Sequence, residues 1–372
     1  MLYLDNSATT HILPEVKEAM ETFLTSEYGN PSGKYYNLAI NAESAISQAR
    51  EHVSKLINSS SKEVIFTSGA TESNNMVIKG VADYYSDKGK HIITSKAEHN
   101  AVLDVCVFLE EKGFEVTYLD VDQYGRVNPL EFQASIRKDT ILATIMWGNN
   151  ELGSLNDINY LSKICAENNI LFHTDATQVM GKVEINWNDL DSVSFLSCSA
   201  HKMHGPKGVG ALVIRADQYG RLIPFTPLLH GGGQENGIRS GTYSVHNIVG
   251  FGVAAKIAKN NLQKHMKHLW NLEEKLRKIL MDQFADNIAF NSDDENKIPG
   301  VLNVRFKGLN NEVLLKKLAP VIAASSGSAC SSAHPSHVLQ ATGLNLKEVR
   351  ESIRFSFSPY TSIEEVDIFT EL

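Results

Sequence analysis

The chain has 372 residues, 42% of them hydrophobic and 21% charged, enough for two domains with a sizeable core. Its formal net charge is −8, and its Lys and Arg residues are scattered rather than gathered in a stripe, so direct nucleic-acid binding has little electrostatic support. No apolar run approaches the ~20 residues that span a bilayer, and the first residues, "MLYLDNSATTHILPE", have neither a basic start nor a signal-like stretch, so we expect a cytoplasmic protein with no membrane partner.

Short β-rich runs recur between helical patterns at residues 63–67, 91–95, 115–119, 140–147, 170–174, 192–197 and 210–214. Several are apolar almost throughout, which suits strands covered on both faces, and the intervening stretches 99–112 and 157–168 carry helical spacing of apolar residues. The pattern predicts an α/β fold with a mostly parallel central sheet flanked by helices. After about residue 243 one long, charged, amphipathic stretch predicts a linking helix. The mixed segments beyond it, "VLNVRF", "NEVLLKKLA", "PSHVLQATG" and "VRESIRFSF", predict a second, smaller α+β domain.

In open α/β sheets, ligands bind beyond the carboxyl ends of the strands. After 63–67 comes "SGATESNN", a Gly turn opening a helix, whose backbone N–H groups and Thr71 hydroxyl suit a phosphate but whose residues are also ordinary caps. After 91–95 comes His99, a capping or surface residue on the bland reading and a catalytic one on the sharper. After 140–147 comes "GNNELG", with Asn149, Asn150 and Glu151, which by itself reads as a loop. After 170–174 come Asp175 and Gln178. The aspartate there is a helix cap, a metal ligand with His173, or the carboxylate that holds a pyridine nitrogen protonated; metal is the poorest fit because no third ligand is spaced nearby, and we expect no metal. After 192–197 come Ser199, His201 and Lys202.

Lysine is rarely buried without a partner. In a shielded pocket its pKa falls from ~10.4, which makes the amine nucleophilic enough to form a Schiff base with an aldehyde cofactor. Pyridoxal phosphate accounts for the other residues together. Its phosphate needs the helix start, the hydroxyls of Thr71 and Ser199 and a cation or donor such as His201. Its ring nitrogen needs Asp175, its ring oxygen an amide such as Gln178, and its face a flat partner such as His99. The competing reading of Lys202 is a solvated loop lysine beside a glycine turn.

The chain resembles the cysteine desulfurases, class V aminotransferase proteins of the fold-type I pyridoxal phosphate enzymes, in the NifS/IscS-like branch. The likeness runs from "YLDNSATT" at 3–10 to "SIRFSF" at 352–357, through "YGNPSG", "FTSGATESNN", "SKAEHNAVLD", "NNELG", "HTDATQ", "SAHKMHGPKGVGAL", "HGGGQENGIRSGT" and "SSGSACSS". It implies a large cofactor-binding domain over 13–255 and a small domain from 1–12 plus 256–372 that carries a nucleophilic cysteine loop. It makes Lys202 the lysine that carries the cofactor, Asp175 the pyridinium partner and His99 the stacking residue, which also passes a proton. Asn150 and Gln178 contact the ring-oxygen side, with Asn150 also near the substrate, and Ala70, Thr71, Ser199 and His201 bind phosphate. Thr242 reaches the phosphate of the neighbouring subunit, which implies a homodimer. Arg354 grips the substrate carboxylate, its alternative being an ordinary salt bridge.

The family's nucleophile falls on Cys330. The four cysteines, Cys106, Cys165, Cys198 and Cys330, lack CxxC spacing, which argues against zinc and disulfides alike; the first two sit in apolar helical patterns and Cys198 in a strand, where packing is the expected role. The implied reaction converts L-cysteine to L-alanine, leaves a persulfide on Cys330 and passes sulfur to an acceptor protein. The segment between Cys330 and "PSHVL" looks shorter than in the iron-sulfur branch, and the chain stops 18 residues after Arg354. This compact form resembles the desulfurases of DNA phosphorothioation systems, so a phosphorothioation acceptor is the expectation, with iron-sulfur cluster assembly or tRNA thiolation as the alternative. A selenocysteine lyase or an aminotransferase is the rival enzyme, and an idle sulfur-carrier scaffold the rival outside catalysis.

Overall fold

The computed structural model describes residues 1–327 and 335–371. Seven strands form the central sheet in the order Val64–Thr67, Gly210–Ile214, Phe195–Ser199, Leu171–Asp175, Thr140–Thr144, His91–Ser95, Glu115–Leu119. Only Gly210–Ile214 runs against its neighbours; the others are parallel, so their carboxyl ends share one edge. Apolar side chains on both faces of these strands are buried, except in the edge strand Glu115–Leu119 where only Leu119 is, and that is why most of the runs read as nearly continuous rather than alternating.

Helices Ala70–Tyr84 and Asn100–Glu110 cover one face with Met76, Val77, Val102 and Val105 in their core; Asn37–Ile57 and Ile158–Glu167 contribute Ile46, Val53, Leu161 and Ile164 to the core of the other. The strands His91–Ser95, Glu115–Leu119 and Gly210–Ile214 coincide with the predicted runs at both ends. The strand predicted at 192–197 is displaced to Phe195–Ser199. A turn in which Val193 N–H donates to the Leu190 carbonyl at 2.9 Å delays its start, and backbone pairing of Cys198 with Ala211 and Ser199 with Gly210 carries it through polar residues. The run 140–147 is a strand only as far as Thr144.

The predicted linking helix is Val245–Phe284, 40 residues and about 60 Å long. Its first half, including Ile248, Phe251 and Ala255, packs into the core of the central sheet. Its second half presents Leu269, Leu272, Leu276 and Leu280 to a separate core containing Leu2, Leu4, Leu302 and Phe355. That core rests on a three-stranded antiparallel sheet with Val301–Phe306 between Ser352–Ser356 and Ile288–Phe290. A short parallel pairing of Leu2–Tyr3 with Ile322–Ala323 and a bridge from Asp5 to Ser356 bring the first residues beside the strand Ser352–Ser356. Among the described residues no helix is long and apolar enough to cross a membrane.

Candidate active site

The shared carboxyl edge opens on a cavity of about 450 Å³, whose lining includes Ala70, Thr71, His99, Asn150, Asp175, Gln178, Ser199, His201, Lys202 and Arg354. Ten residues predicted from scattered motifs thus face one space. Asp175 ends its strand and is 5% exposed. One carboxylate oxygen accepts from the Thr177 N–H at 3.0 Å and the other from Asn74 Nδ2 at 2.7 Å, so the carboxylate is held in place. His173, two residues earlier, has one ring nitrogen 2.7 Å from Thr144 Oγ1 and the other 2.9 Å from Ser197 Oγ. With both nitrogens engaged by hydroxyls and burial lowering its pKa to about 4, it is a core histidine and does not pair with Asp175 as a metal ligand.

Lys202 closes a single 3₁₀ turn, Ala200–Lys202, that follows the strand Phe195–Ser199. Its Nζ donates to the carbonyls of Ser7 and Ala8, both at 2.6 Å. Gln178 Nε2 donates to the same Ser7 carbonyl at 2.9 Å, and its Oε1 accepts from Lys182 Nζ at 3.0 Å, which fixes the amide's orientation. Burial, then the charges of Lys202 and Arg354, lower the Lys182 pKa to about 7.

His99 combines the two readings of its sequence position. As N-cap of Asn100–Glu110 its Nδ1 accepts from the Ala101 N–H at 3.0 Å, which leaves Nε2 to carry the proton of the neutral ring, and it lines the cavity. Burial lowers its pKa, outweighing the nearby Asp175 carboxylate. His201 is lowered to about 4 by burial and by Lys202, Lys207 and Lys182, so near neutral pH it offers a ring N–H rather than a cation. Its Nδ1 lies 3.1 Å from Thr9 Oγ1.

Helix Ala70–Tyr84 starts from Gly69, whose φ of 153° favours glycine, and no side chain caps it; its first N–H groups are open to an anion beside Thr71 and Ser199. Gly210 is required under this turn, because a Cβ there would sit 2.4 Å from the Cys198 carbonyl oxygen and 2.7 Å from Gly69 Cα. Arg354, in the strand Ser352–Ser356, has a side chain 1% exposed. It forms the ion pair that was its structural alternative, to Asp5 at 2.5 Å, and lines the cavity as well. Asn150 accepts from Arg354 through its backbone carbonyl at 2.8 Å.

Thr242 does not line this cavity. It lines a separate one of about 130 Å³ that shares Ser68 and Gly208 with the first. Cys330 lies outside the described residues; Gly327 and His337, which flank it in the chain, both line the main cavity. Cys106, Cys165 and Cys198 are buried, and burial raises the pKa of each, to about 12 for Cys106 and Cys198.

Sequence reasoning assigned no role to Ser7, Asn74, Asp5 or Glu98, which hold Lys202, Asp175 and Arg354 or sit beneath His99. Glu98 is fully buried; its Oε1 accepts from Ser95 Oγ at 2.8 Å and Met146 N–H at 2.9 Å, and burial, with a smaller push from Asp175, raises its pKa to about 8. The quoted motifs "YLDNSATT", "SGATESNN" and "AEHN" contained all four and were the available signal.

The donor set fits pyridoxal phosphate: an amine and a fixed carboxylate at neighbouring strand ends, an oriented amide beside them, and an uncapped helix start flanked by hydroxyls. Fold and site together define an enzyme of the fold-type I class. The chain belongs to the aminotransferase class-V family, whose model matches residues 2–369. Cysteine desulfurase IscS of Buchnera aphidicola subsp. Baizongia pistaciae is 46% identical over 375 residues, covering 100% of this chain and 91% of that one. A NifS-like protein of known structure superimposes with a TM-score of 0.92 at 37% identity, covering 100% of this chain and 97% of the other. SspA in complex with cysteine superimposes with a TM-score of 0.84 at 36% identity, covering 97% of this chain and 100% of the other.

Proposed function

We propose that the protein is a pyridoxal phosphate-dependent cysteine desulfurase. The observation that carries the reading is that Lys202, Asp175 and Arg354 line the same cavity as both described flanks of the Cys330 segment. The 46% identity to a cysteine desulfurase and the likeness to a structure in complex with cysteine support the substrate.

When bound, pyridoxal phosphate supplies an electron sink that stabilises charge left by the substrate α-proton and weakens the adjacent C–S bond. Lys202 would hold the cofactor and move the substrate α-proton at its Nζ. Asp175, fixed by Asn74 and the Thr177 N–H, keeps a proton on the ring nitrogen. Gln178 would offer an N–H to the cofactor's ring oxygen, His99 would serve its ring face and exchange a proton through Nε2, and the helix start with Ala70, Thr71, Ser199 and His201 would hold its phosphate. Arg354 and Asn150 hold the substrate. Cys330 forms the new S–S bond as the substrate's C–S bond breaks: L-cysteine and the Cys330 thiol give L-alanine and a Cys330 persulfide, with atoms and electrons balanced. Thr242 serves the phosphate of a partner subunit in a homodimer.

Incubation of the yellow holoenzyme with L-cysteine should yield alanine and protein-bound persulfide in equal amounts. Pyruvate in place of alanine, or alanine without persulfide, would refute the reading. For the acceptor, the chain's acidic charge supports transfer to a separate protein rather than action on nucleic acid, and a DNA phosphorothioation protein is our finer reading. Offering ³⁵S-loaded enzyme to such an acceptor and to an iron-sulfur scaffold together tests it; transfer to the scaffold alone reverses it.

A further inference from the structure

We infer that Asp5 is a positioning residue that aims one edge of the Arg354 guanidinium at the carboxylate of the substrate amino acid. The inference rests on the reading of Arg354 as the substrate's carboxylate clamp. A guanidinium carries five N–H donors in a rigid plane. In Arg354 three are engaged: Nη1 donates to the carbonyls of Asn150 at 2.8 Å and Gly327 at 3.0 Å, and Nη2 donates to Asp5 Oδ1 at 2.5 Å. Nε is buried and has no hydrogen-bond partner among the described residues. The donors left over are therefore the Nε–H and one Nη2–H, and they share one edge of the plane where Asp5 takes the Nη2 proton on the Nη1 side. A carboxylate bound in two-pronged fashion needs two parallel donors on one edge.

Asp5 is not among the residues that line the cavity, whereas Arg354, Asn150 and Gly327 are. It approaches the guanidinium from outside the substrate space and does not compete for it. Its own position is fixed against the strand that carries Arg354. Ser356 N–H donates to the Leu4 carbonyl at 2.7 Å and Asn6 N–H to the Ser356 carbonyl at 3.2 Å, which clamps residue 5 alongside. The other carboxyl group nearby, Glu151, is fully buried, which raises its pKa, and it accepts from Ser336 Oγ at 2.5 Å, so it takes no Arg354 donor. A cation 1% exposed needs its charge balanced before substrate arrives, and Asp5 supplies that balance through Nη2 without taking the Nε–H.

The test compares two ligands of the holoenzyme, L-alanine and L-alaninamide, which differ only in the carboxylate, by titrating the visible spectrum of the bound cofactor. In Asp5→Ala the Kd for L-alanine should rise about tenfold while that for L-alaninamide stays within about twofold. Asp5→Asn keeps one acceptor oxygen and should show a smaller rise, about threefold, with the amide again unmoved; it carries the test by itself if Asp5→Ala does not fold. Equal loss for both ligands would mean general damage and overturn the inference, as would no change in L-alanine binding. Arg354→Ala separates the two levels of the argument. If it abolishes the preference for L-alanine over the amide and the Asp5 variants do not alter that preference, the inference about Asp5 falls alone. If Arg354→Ala leaves the preference intact, the clamp reading falls and takes the inference with it.

Discussion

Asp175, Ser199 and Lys202 stand at the ends of adjacent strands in the middle of the chain, and the sheet's backbone pairing alone brings them together. Across the same cavity Arg354 is held by Asp5, 349 positions away, and by the carbonyls of Asn150 and Gly327. On the proposed assignment, the cofactor side is thus fixed by the protein's most regular element, and the substrate side by contacts that exist only once both ends of the chain have met. A site divided in this way allows the substrate side to yield while the cofactor side stays rigid. Ser7 joins the two, because its carbonyl receives both Lys202 and Gln178 from the same N-terminal segment that carries Asp5.

The comparison is broken most severely by removing the two proposed reactive groups in turn. Lys202→Ala and Cys330→Ser should each lower persulfide formation by roughly a thousandfold or more, for different reasons. Lys202→Ala loses covalent attachment of the cofactor, measured by borohydride trapping. Cys330→Ser keeps the visible spectrum and its response to L-cysteine yet gives no persulfide by mass spectrometry. A Cys330→Ser protein that still accumulated persulfide would place the nucleophile elsewhere. Next in size is Asp175→Asn, which keeps the shape of the strand end but removes its negative charge. We expect a loss of roughly 10²–10³ in kcat with little change in the Kd for L-alanine, since the substrate side is untouched. A change confined to Kd would erase the division between the two sides.

A smaller effect sharpens the description of the cofactor side. The Glu98 pKa rises from 4.5 to about 8 on folding, so between those values the folded state keeps a proton that the unfolded chain has released, and stability falls as pH rises through that window. Glu98→Gln retains an acceptor for the Met146 N–H and removes the titration. Relative to wild type it should gain roughly 1–2 kcal/mol of stability between pH 6 and 7.5, read from urea melts at both values. Parallel pH profiles for the two proteins would show that Glu98 is ionised in the fold.

Much of the cofactor side was legible because a parallel sheet converts sequence position into spatial position: the residue after each apolar run is at the same edge as the residue after the next. Lys202, Asp175, Gln178 and His99 follow from that rule, and the rule tolerated the displacement of the Phe195–Ser199 strand because its end, not its start, carries the site. Asp5, Asn74 and Ser7 were present in quoted motifs but had no readable role, since apolar periodicity reports which face a residue occupies and nothing about a partner 101 or 349 positions away. For Arg354 the clamp and salt-bridge readings do not exclude each other: the guanidinium pairs with Asp5 and Arg354 also lines the cavity.

The smallest expected effect concerns Cys198, which lies on the cofactor side four residues from Lys202 and would be the rival nucleophile if proximity in sequence decided the matter. Its side chain is fully buried, its thiol donates to the Ala211 carbonyl at 3.5 Å, and burial pushes its pKa to about 12. A thiol in that state supplies almost no thiolate near neutral pH, and Cys198 is not among the described residues that line the cavity. Cys198→Ala removes one sulfur atom from a packed strand, which costs about 1 kcal/mol through the small void and the lost weak hydrogen bond. Persulfide yield per subunit and its rate of formation should stay within about twofold of wild type, and thermal melting should drop by only a few degrees. A large loss of persulfide with the cofactor spectrum intact would move the sulfur-accepting role from Cys330 to the sheet, and the division between the two sides would no longer describe the chemistry.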